Sequence, residues 1–139
     1  MIPEIFIGNI AKEAVKALYG VEADDKMIKV ESTNPDFEGD VTLVVFPLLR
    51  MSKKAPEATA TEIGEYMKAN EKFIENFNVV KGFLNIKLSE EYWKNTFVEI
   101  SSAQNYGQLP ATGKSVMIEF SSPNTNKPLH LGHIRNNLL

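Results

Sequence analysis

Near its end the chain reads Val116-Met-Ile-Glu-Phe-Ser-Ser-Pro-Asn-Thr-Asn-Lys-Pro-Leu-His-Leu-Gly-His-Ile-Arg135, and the order of residue types there sets the expected architecture. Val116 to Phe120 is a short apolar run suited to a buried strand. Ser121 to Leu129 is polar and carries Pro123 and Pro128, which keep it out of regular structure. His130-Leu-Gly-His133 then opens an apolar segment with the look of a helix start. A helix N-terminus offers unpaired N–H groups and the positive end of its dipole, so it attracts phosphate. Gly132 has no Cβ and lets a base or ribose approach the backbone. His130 and His133 can donate hydrogen bonds to phosphate oxygens, and Lys127 adds a fixed positive charge. From Gly113 to Leu139 there are three basic residues against one acid, and both histidines of the chain fall in this tetrapeptide.

These residues carry a resemblance. His-x-Gly-His is similar to the nucleotide-binding signature of class I aminoacyl-tRNA synthetases. With Glu119-Phe-Ser-Ser-Pro-Asn124 before it, Lys127 upstream and Arg135 downstream, the stretch resembles the arginyl-tRNA synthetase family. The resemblance implies that His130, Gly132, His133 and Lys127 bind ATP during adenylate formation, with Lys127, His130 and His133 in the catalytic role. It also implies that Glu119, Ser122 and Asn124 line a pocket for arginine. Magnesium is expected with the ATP of a full enzyme. Asn136-Asn137 departs from the small hydroxyl residue more usual after the signature arginine. Another His-x-Gly-His nucleotidyltransferase stays open as an alternative. A metal site on the two histidines lacks a further ligand at sensible spacing, so no metal is expected to be held by side chains of this chain.

A doubly wound catalytic domain binds its ligands across the ends of several strands. One such strand is visible here, so the chain reads as an N-terminal fragment, inactive alone; the resemblance implies that the whole is an arginine–tRNA ligase. Its 139 residues, 43% hydrophobic and 24% charged, suit an ordinary folded domain. Without cysteine there is no disulfide framework and no thiolate zinc site. No membrane-length apolar run and no secretory signal are visible, so a cytoplasmic protein with no membrane partner is expected. The resemblance implies tRNA, arginine and ATP as partners, and a monomer is expected. Net charge is −3, and the first 112 residues hold 12 basic against 17 acidic. Such a balance opposes wholesale electrostatic binding of nucleic acid and leaves recognition by a small patch, shape or stacking.

From the N-terminus, Ile7, Ile10, Ala11, Ala14, Val15 and Leu18 fall at helical spacing and predict a helix from Glu4 to Tyr19, closed by Gly20. Met27 to Glu31 predicts a short strand. Asn34-Pro-Asp36 and Glu38-Gly-Asp40 lie in a turn-rich loop, and Val41 to Phe46 predicts a further strand. Pro47 suits the first turn of a helix over Leu48 to Lys53, and Pro56 opens another that ends near Asn70. Asp40 reads either as a turn or capping residue or as a contact with RNA. Phe77 to Val80 and Phe83 to Leu88 are strand-like and broken at Lys81-Gly82, giving a tight hairpin or one strand with a glycine bulge. Ser89 is a good N-cap, and Tyr92, Trp93, Phe97 and Ile100 predict an amphipathic helix that ends near Asn105 to Gly107.

In the Phe83–Leu88 run, Leu84, Ile86 and Leu88 face one way and Phe83, Asn85 and Lys87 the other. The second set offers a stacking ring, a base-edge reader and a phosphate contact. On the residues alone, a packed ring beside a solvated lysine is the preferred reading. Gly82-Phe-Leu-Asn-Ile86 resembles the strand of the arginyl synthetase N-terminal domain that recognises the tRNA D loop, which implies tRNA contacts at Phe83, Asn85 and Lys87; Val80 stands where some members are polar. The expected class is α+β. An antiparallel sheet packed with helices forms the N-terminal additional domain, and the first strand and helix start of a truncated Rossmann-type catalytic domain follow. The expected organisation is a tRNA-recognition domain over 1–107, a linker over 108–115 and the catalytic start over 116–139. The alternative for the first part is a module that only braces the catalytic domain.

Overall fold

The computed structural model describes residues 2–117, 123 and 126–138, and divides into two units, Met1–Tyr106 and Gly107–Leu139. In the first, α1 spans Pro3–Tyr19, with proline in the first turn and Gly20 at φ 68° closing the end. A 3-10 turn, Asp25–Met27, leads into β1, Lys29–Ser32. Then β2, Val41–Val44, gives way to a 3-10 turn at Phe46–Leu48 and the single turn α2, Leu49–Ser52. Pro47 explains the change: its ring removes a ladder donor and fixes a helical φ. The longer α3 is Pro56–Asn70, and the hairpin strands are β3, Ile74–Val80, and β4, Phe83–Leu88. Finally α4, Glu90–Ser102, starts at Ser89, whose hydroxyl accepts the Tyr92 N–H.

The sheet order is β1-β2-β4-β3, antiparallel throughout. Lys81 and Gly82, at φ 50° and 80°, make the two-residue turn between β3 and β4. Both central residues with positive φ define the hairpin type whose twist matches the strands, so the tight hairpin replaces the bulged single strand. Packing follows the strand period of two. Leu84, Ile86 and Leu88 are buried with Leu43 and Val41, and α1 and α3 cover them through Ile7, Ala11, Ala14, Val15, Ile63 and Met67. An aromatic cluster of Phe6, Phe73 and Tyr92 closes one end, with ring centroids 5.1–6.0 Å apart.

Three expectations need correction. The α4 stripe is not a buried face: Tyr92 is fully buried, but Trp93, Phe97 and Ile100 are exposed, because the helix docks through its first turn against Phe6 and Phe73. That helix also stops at Ser102, short of Asn105. Leu18 is 39% exposed and ends the α1 stripe at Val15. In the second unit, α5 spans Leu131–Leu138. The strand expected over Val116 to Phe120 lies mostly outside the described residues, as do Glu119, Ser122 and Asn124.

Candidate nucleic-acid interface

On the sheet face opposite α1 and α3, a row of polar side chains crosses the strands. Register places Thr42 opposite Asn85 and Asn85 opposite Asn78. Thr42 Oγ1 donates to Asn85 Oδ1 at 2.7 Å, and Asn85 Nδ2 donates to Asn78 Oδ1 at 2.9 Å. Asn78 Nδ2 in turn donates to the Glu38 carbonyl at 2.6 Å. Thr42 and Thr33 hydroxyls lie 3.0 Å apart. Since Thr42 spends its only hydrogen on Asn85, Thr33 is the donor of that pair. Four bonds therefore point one way, from Thr33 to Glu38, and each polarises the next.

The loop before β2 folds over this row. Gly39 has φ 142°, and a Cβ there would lie 3.2 Å from Asn85 Cβ and 3.3 Å from the Ile86 nitrogen, so the backbone passes where a side chain would crowd. Asp40 N–H donates to the Ile86 carbonyl, and its Oδ2 accepts the Leu88 N–H at 2.7 Å. The turn and capping reading of Asp40 thus describes its carboxylate, which is engaged with β4.

Covered in this way, Asn85 is only 2% exposed. The expectation of an exposed amide is overturned, because both ends of the side chain are engaged in the sheet. Phe83 is 38% exposed and meets Phe46, itself 44% exposed, at 5.5 Å and an interplanar angle of 76°. An open groove of about 690 Å³ lies here, walled by Glu31, Thr33, Phe37 and Phe83 and floored by Thr42 and Asn85. Lys87 takes no part in it. Its ammonium sits 3.3 Å from Glu38 and 3.4 Å from Glu75, and the bond to Glu38, then that to Glu75, holds its pKa above the ordinary lysine value. A lysine shared by two carboxylates is a poor phosphate contact. The sequence reading missed Phe37, Phe46, Thr42 and Asn78. Of these, Thr42 carried a signal, being polar between Val41 and Leu43 at a strand period of two.

The second unit holds the His-x-Gly-His turn. His130 precedes α5, and its carbonyl accepts the His133 N–H at 2.9 Å. Its Nδ1 accepts the Gly132 N–H at 3.1 Å, while His133 Nδ1 accepts the His130 N–H at 3.2 Å. This is the reciprocal logic of a capping box, built from two imidazoles. Both Nδ1 atoms accept, so each neutral ring carries its proton on Nε2. The rings lie 4.0 Å apart. A Cβ on Gly132 would come within 2.9 Å of His130 Cε1, so the glycine makes room for that ring. Lys127 lies in the turn-rich segment before Pro128 and forms no ion pair among the described residues.

Two family descriptions match the chain, one after the other in sequence. The family described as the arginyl tRNA synthetase N terminal domain matches residues 6–88, and that described as tRNA synthetases class I (R), catalytic domain, matches residues 96–139. The chain belongs to the arginyl-tRNA synthetase family. It is 58% identical over 127 residues to an arginine–tRNA ligase of Bacteroides thetaiotaomicron, covering 90% of this chain and 21% of that protein. A second, from Parabacteroides distasonis, is 53% identical over 141 residues, covering 100% of this chain and 24% of that protein. Among solved structures, the arginyl-tRNA synthetase of Thermus thermophilus matches with a TM-score of 0.59 and 28% identity, over 97% of this chain and 21% of that one. The chain therefore spans about a fifth to a quarter of the length of these relatives.

Proposed function

We propose that this chain is the N-terminal part of an arginine–tRNA ligase, in which the first unit helps bind the tRNA D loop and the second begins the ATP site. The complete enzyme activates arginine with ATP and passes it to the 3′ end of its tRNA, in the cytoplasm and as a monomer. The observation that carries the tRNA part is the Phe83–Phe46 pair beside the groove. Two half-exposed rings offer a stacking surface for an unstacked base, which is how single-stranded loops of RNA are usually gripped. Asn85 serves as a positioning residue: its fixed amide holds the strand that presents Phe83.

The Nε2–H groups of His130 and His133 suit the phosphates of ATP, with Lys127 as a nearby charge. Attack of the arginine carboxylate on the α-phosphate, with the bond to the β-phosphate breaking and pyrophosphate leaving, needs positioning and charge stabilisation more than proton transfer, and hydrogen-bond donors supply that. Glu119, Ser122 and Asn124 are assigned to arginine on the family resemblance alone. Among the described residues no group of three or more His, Asp or Glu could hold a metal ion. Magnesium in this reading is carried on the nucleotide phosphates, which is its habit.

The test is binding of the chain to an arginine tRNA transcript and to a mismatched tRNA, with Phe83→Ala beside it. Selective binding that Phe83→Ala loses is the expected result. Equal or absent binding by both proteins would return the first unit to a bracing role.

A further inference from the structure

Lys87 is spent on two glutamates, so the phosphates of a bound tRNA need another partner. The candidates gather where the β3–β4 turn meets the segment after β2. A Cβ on Gly82 would lie 2.8 Å from Pro56 Cβ and 3.1 Å from Phe46 Cζ, so turn and segment are in contact. Lys81 is the neighbour of Gly82, Lys53 lies three residues before Pro56, and Arg50 sits on α2, four residues beyond Phe46. All three are exposed, and among the described residues none of them forms an ion pair. From Val41 to Pro56 the chain has three basic residues and no acid, in a protein of net charge −3. Lys54 is occupied by Glu62, and Glu57, just past Pro56, is the one carboxylate adjoining the corner in sequence.

A second, independent observation singles out the same place. Among the described residues two non-glycine positions have positive φ, Lys53 at 54° and Lys81 at 50°, and both belong to this corner. Left-handed backbone is strained for an ordinary L-residue, and glycine or asparagine takes it far more cheaply. Asparagine before glycine is the favoured pair for the turn at Lys81-Gly82. Lysine stands at both positions against the local preference of the chain, the pattern expected where strain is retained for function.

Resting on the proposed tRNA-binding role, we infer that Arg50, Lys53 and Lys81 carry the sugar–phosphate backbone of tRNA past this unit, while a base enters the groove beside Phe83. The corner borders the Phe46–Phe83 pair, so one strand of RNA meets both. Charge complementarity is local: the groove wall carries Glu31, which favours a base over a phosphate there, and the corner carries three exposed cations.

The test uses the 139-residue chain with the doubly substituted Lys53→Asn/Lys81→Asn variant and, separately, Arg50→Gln, titrated with cognate and mismatched tRNA transcripts over a salt series. Each lost phosphate contact should lower the slope of log K against log salt by about one and weaken both tRNAs alike, because phosphates carry no sequence information. The asparagine variant should melt at a higher temperature even as it binds RNA less well, a pairing of signs that a structural role for the lysines does not produce. If it melts lower, Arg50→Gln, which alters no turn, decides on its salt slope. Unchanged slopes in both variants, with selective binding intact, overturn the backbone path and leave the groove reading standing. Failure of the unsubstituted chain to bind any tRNA at low salt defeats the underlying reading and this inference with it.

Discussion

Thr42 Oγ1 gives its hydrogen to Asn85 Oδ1 at 2.7 Å, and that bond fixes the direction of every other bond in the polar row. Without it, the amide of Asn85 could flip and offer Asn78 a carbonyl in place of an N–H. Thr42→Val keeps the shape of the side chain and removes the donor. Because both residues are buried, an unsatisfied Oδ1 should cost about 1–3 kcal/mol, read as a lower urea midpoint with unchanged m. Thr42→Ser should recover most of it. A Thr42→Val protein as stable as the parent would show that the row does not order the sheet.

Gly64 sits inside α3, where alanine is favoured by roughly 1 kcal/mol on propensity alone. Space decides the other way. A Cβ at Gly64 would lie 2.6–2.9 Å from three carbons of the Phe77 ring, on the strand that α3 covers. Gly64→Ala should therefore destabilise by about 1–3 kcal/mol, the usual cost of overpacking. Adding Phe77→Leu should return part of the loss. Gain of stability in the single variant would mean that the ring moves aside freely.

The physics of the strand period made much of this fold legible. Leu84, Ile86 and Leu88 declared the buried face, and Lys81-Gly82 declared a break whose geometry only the φ angles resolved. Asn85 was misjudged because alternation tells which face a residue takes, whereas its burial depends on the loop from Thr33 to Asp40 lying over that face. The α4 stripe misled for the converse reason. Apolar periodicity marks a face able to be buried, and Phe97 at 71% exposure shows that the first unit does not bury it. Lys87 looked free because Glu38, 49 residues away, and Glu75 are brought to it by the sheet, beyond the reach of local pattern. Glu119, Ser122 and Asn124 fall outside the described residues and rest on the family resemblance.

Tyr19 gives a pH dependence whose sign can be worked through. Its hydroxyl donates to Glu62 Oε2 at 3.1 Å, and burial, then that bond and the charge of Glu62, push its pKa up to about 12. In the unfolded chain a tyrosine ionises near about 10. The folded form thus holds its proton more tightly, so the stabilisation is whole below pH 10 and drains away as pH rises toward 12. Melting temperature measured from pH 8 upward should fall steeply above pH 10, and Tyr19→Phe should flatten that limb while lowering stability at pH 8. Tyr92, whose pKa is also raised chiefly by burial, keeps some slope in the variant. Parallel alkaline limbs for the two proteins would remove Tyr19 as the cause.

At the start of α5, two opposing effects meet in Gly132→Ala. Alanine favours the helix by roughly 1 kcal/mol. Its Cβ would press on His130 Cε1 and Nδ1, at 2.9 and 3.1 Å, and the ring that caps the Gly132 N–H would have to leave. Losing a side-chain N-cap costs about 0.5–2 kcal/mol, so the net change in helix stability should be small and uninformative. The imidazoles are the better reporters. In the neutral imidazoles of the parent, ring ¹⁵N shifts should show Nδ1 unprotonated and Nε2 protonated in both histidines, as the reciprocal cap requires. In Gly132→Ala, His130 should move toward a mixture of tautomers while His133, whose bond runs to the backbone N–H of His130, changes less. A parent protein with protons on Nδ1 would dismantle the cap, and with it the proposal that both rings keep an Nε2–H as donor for phosphate.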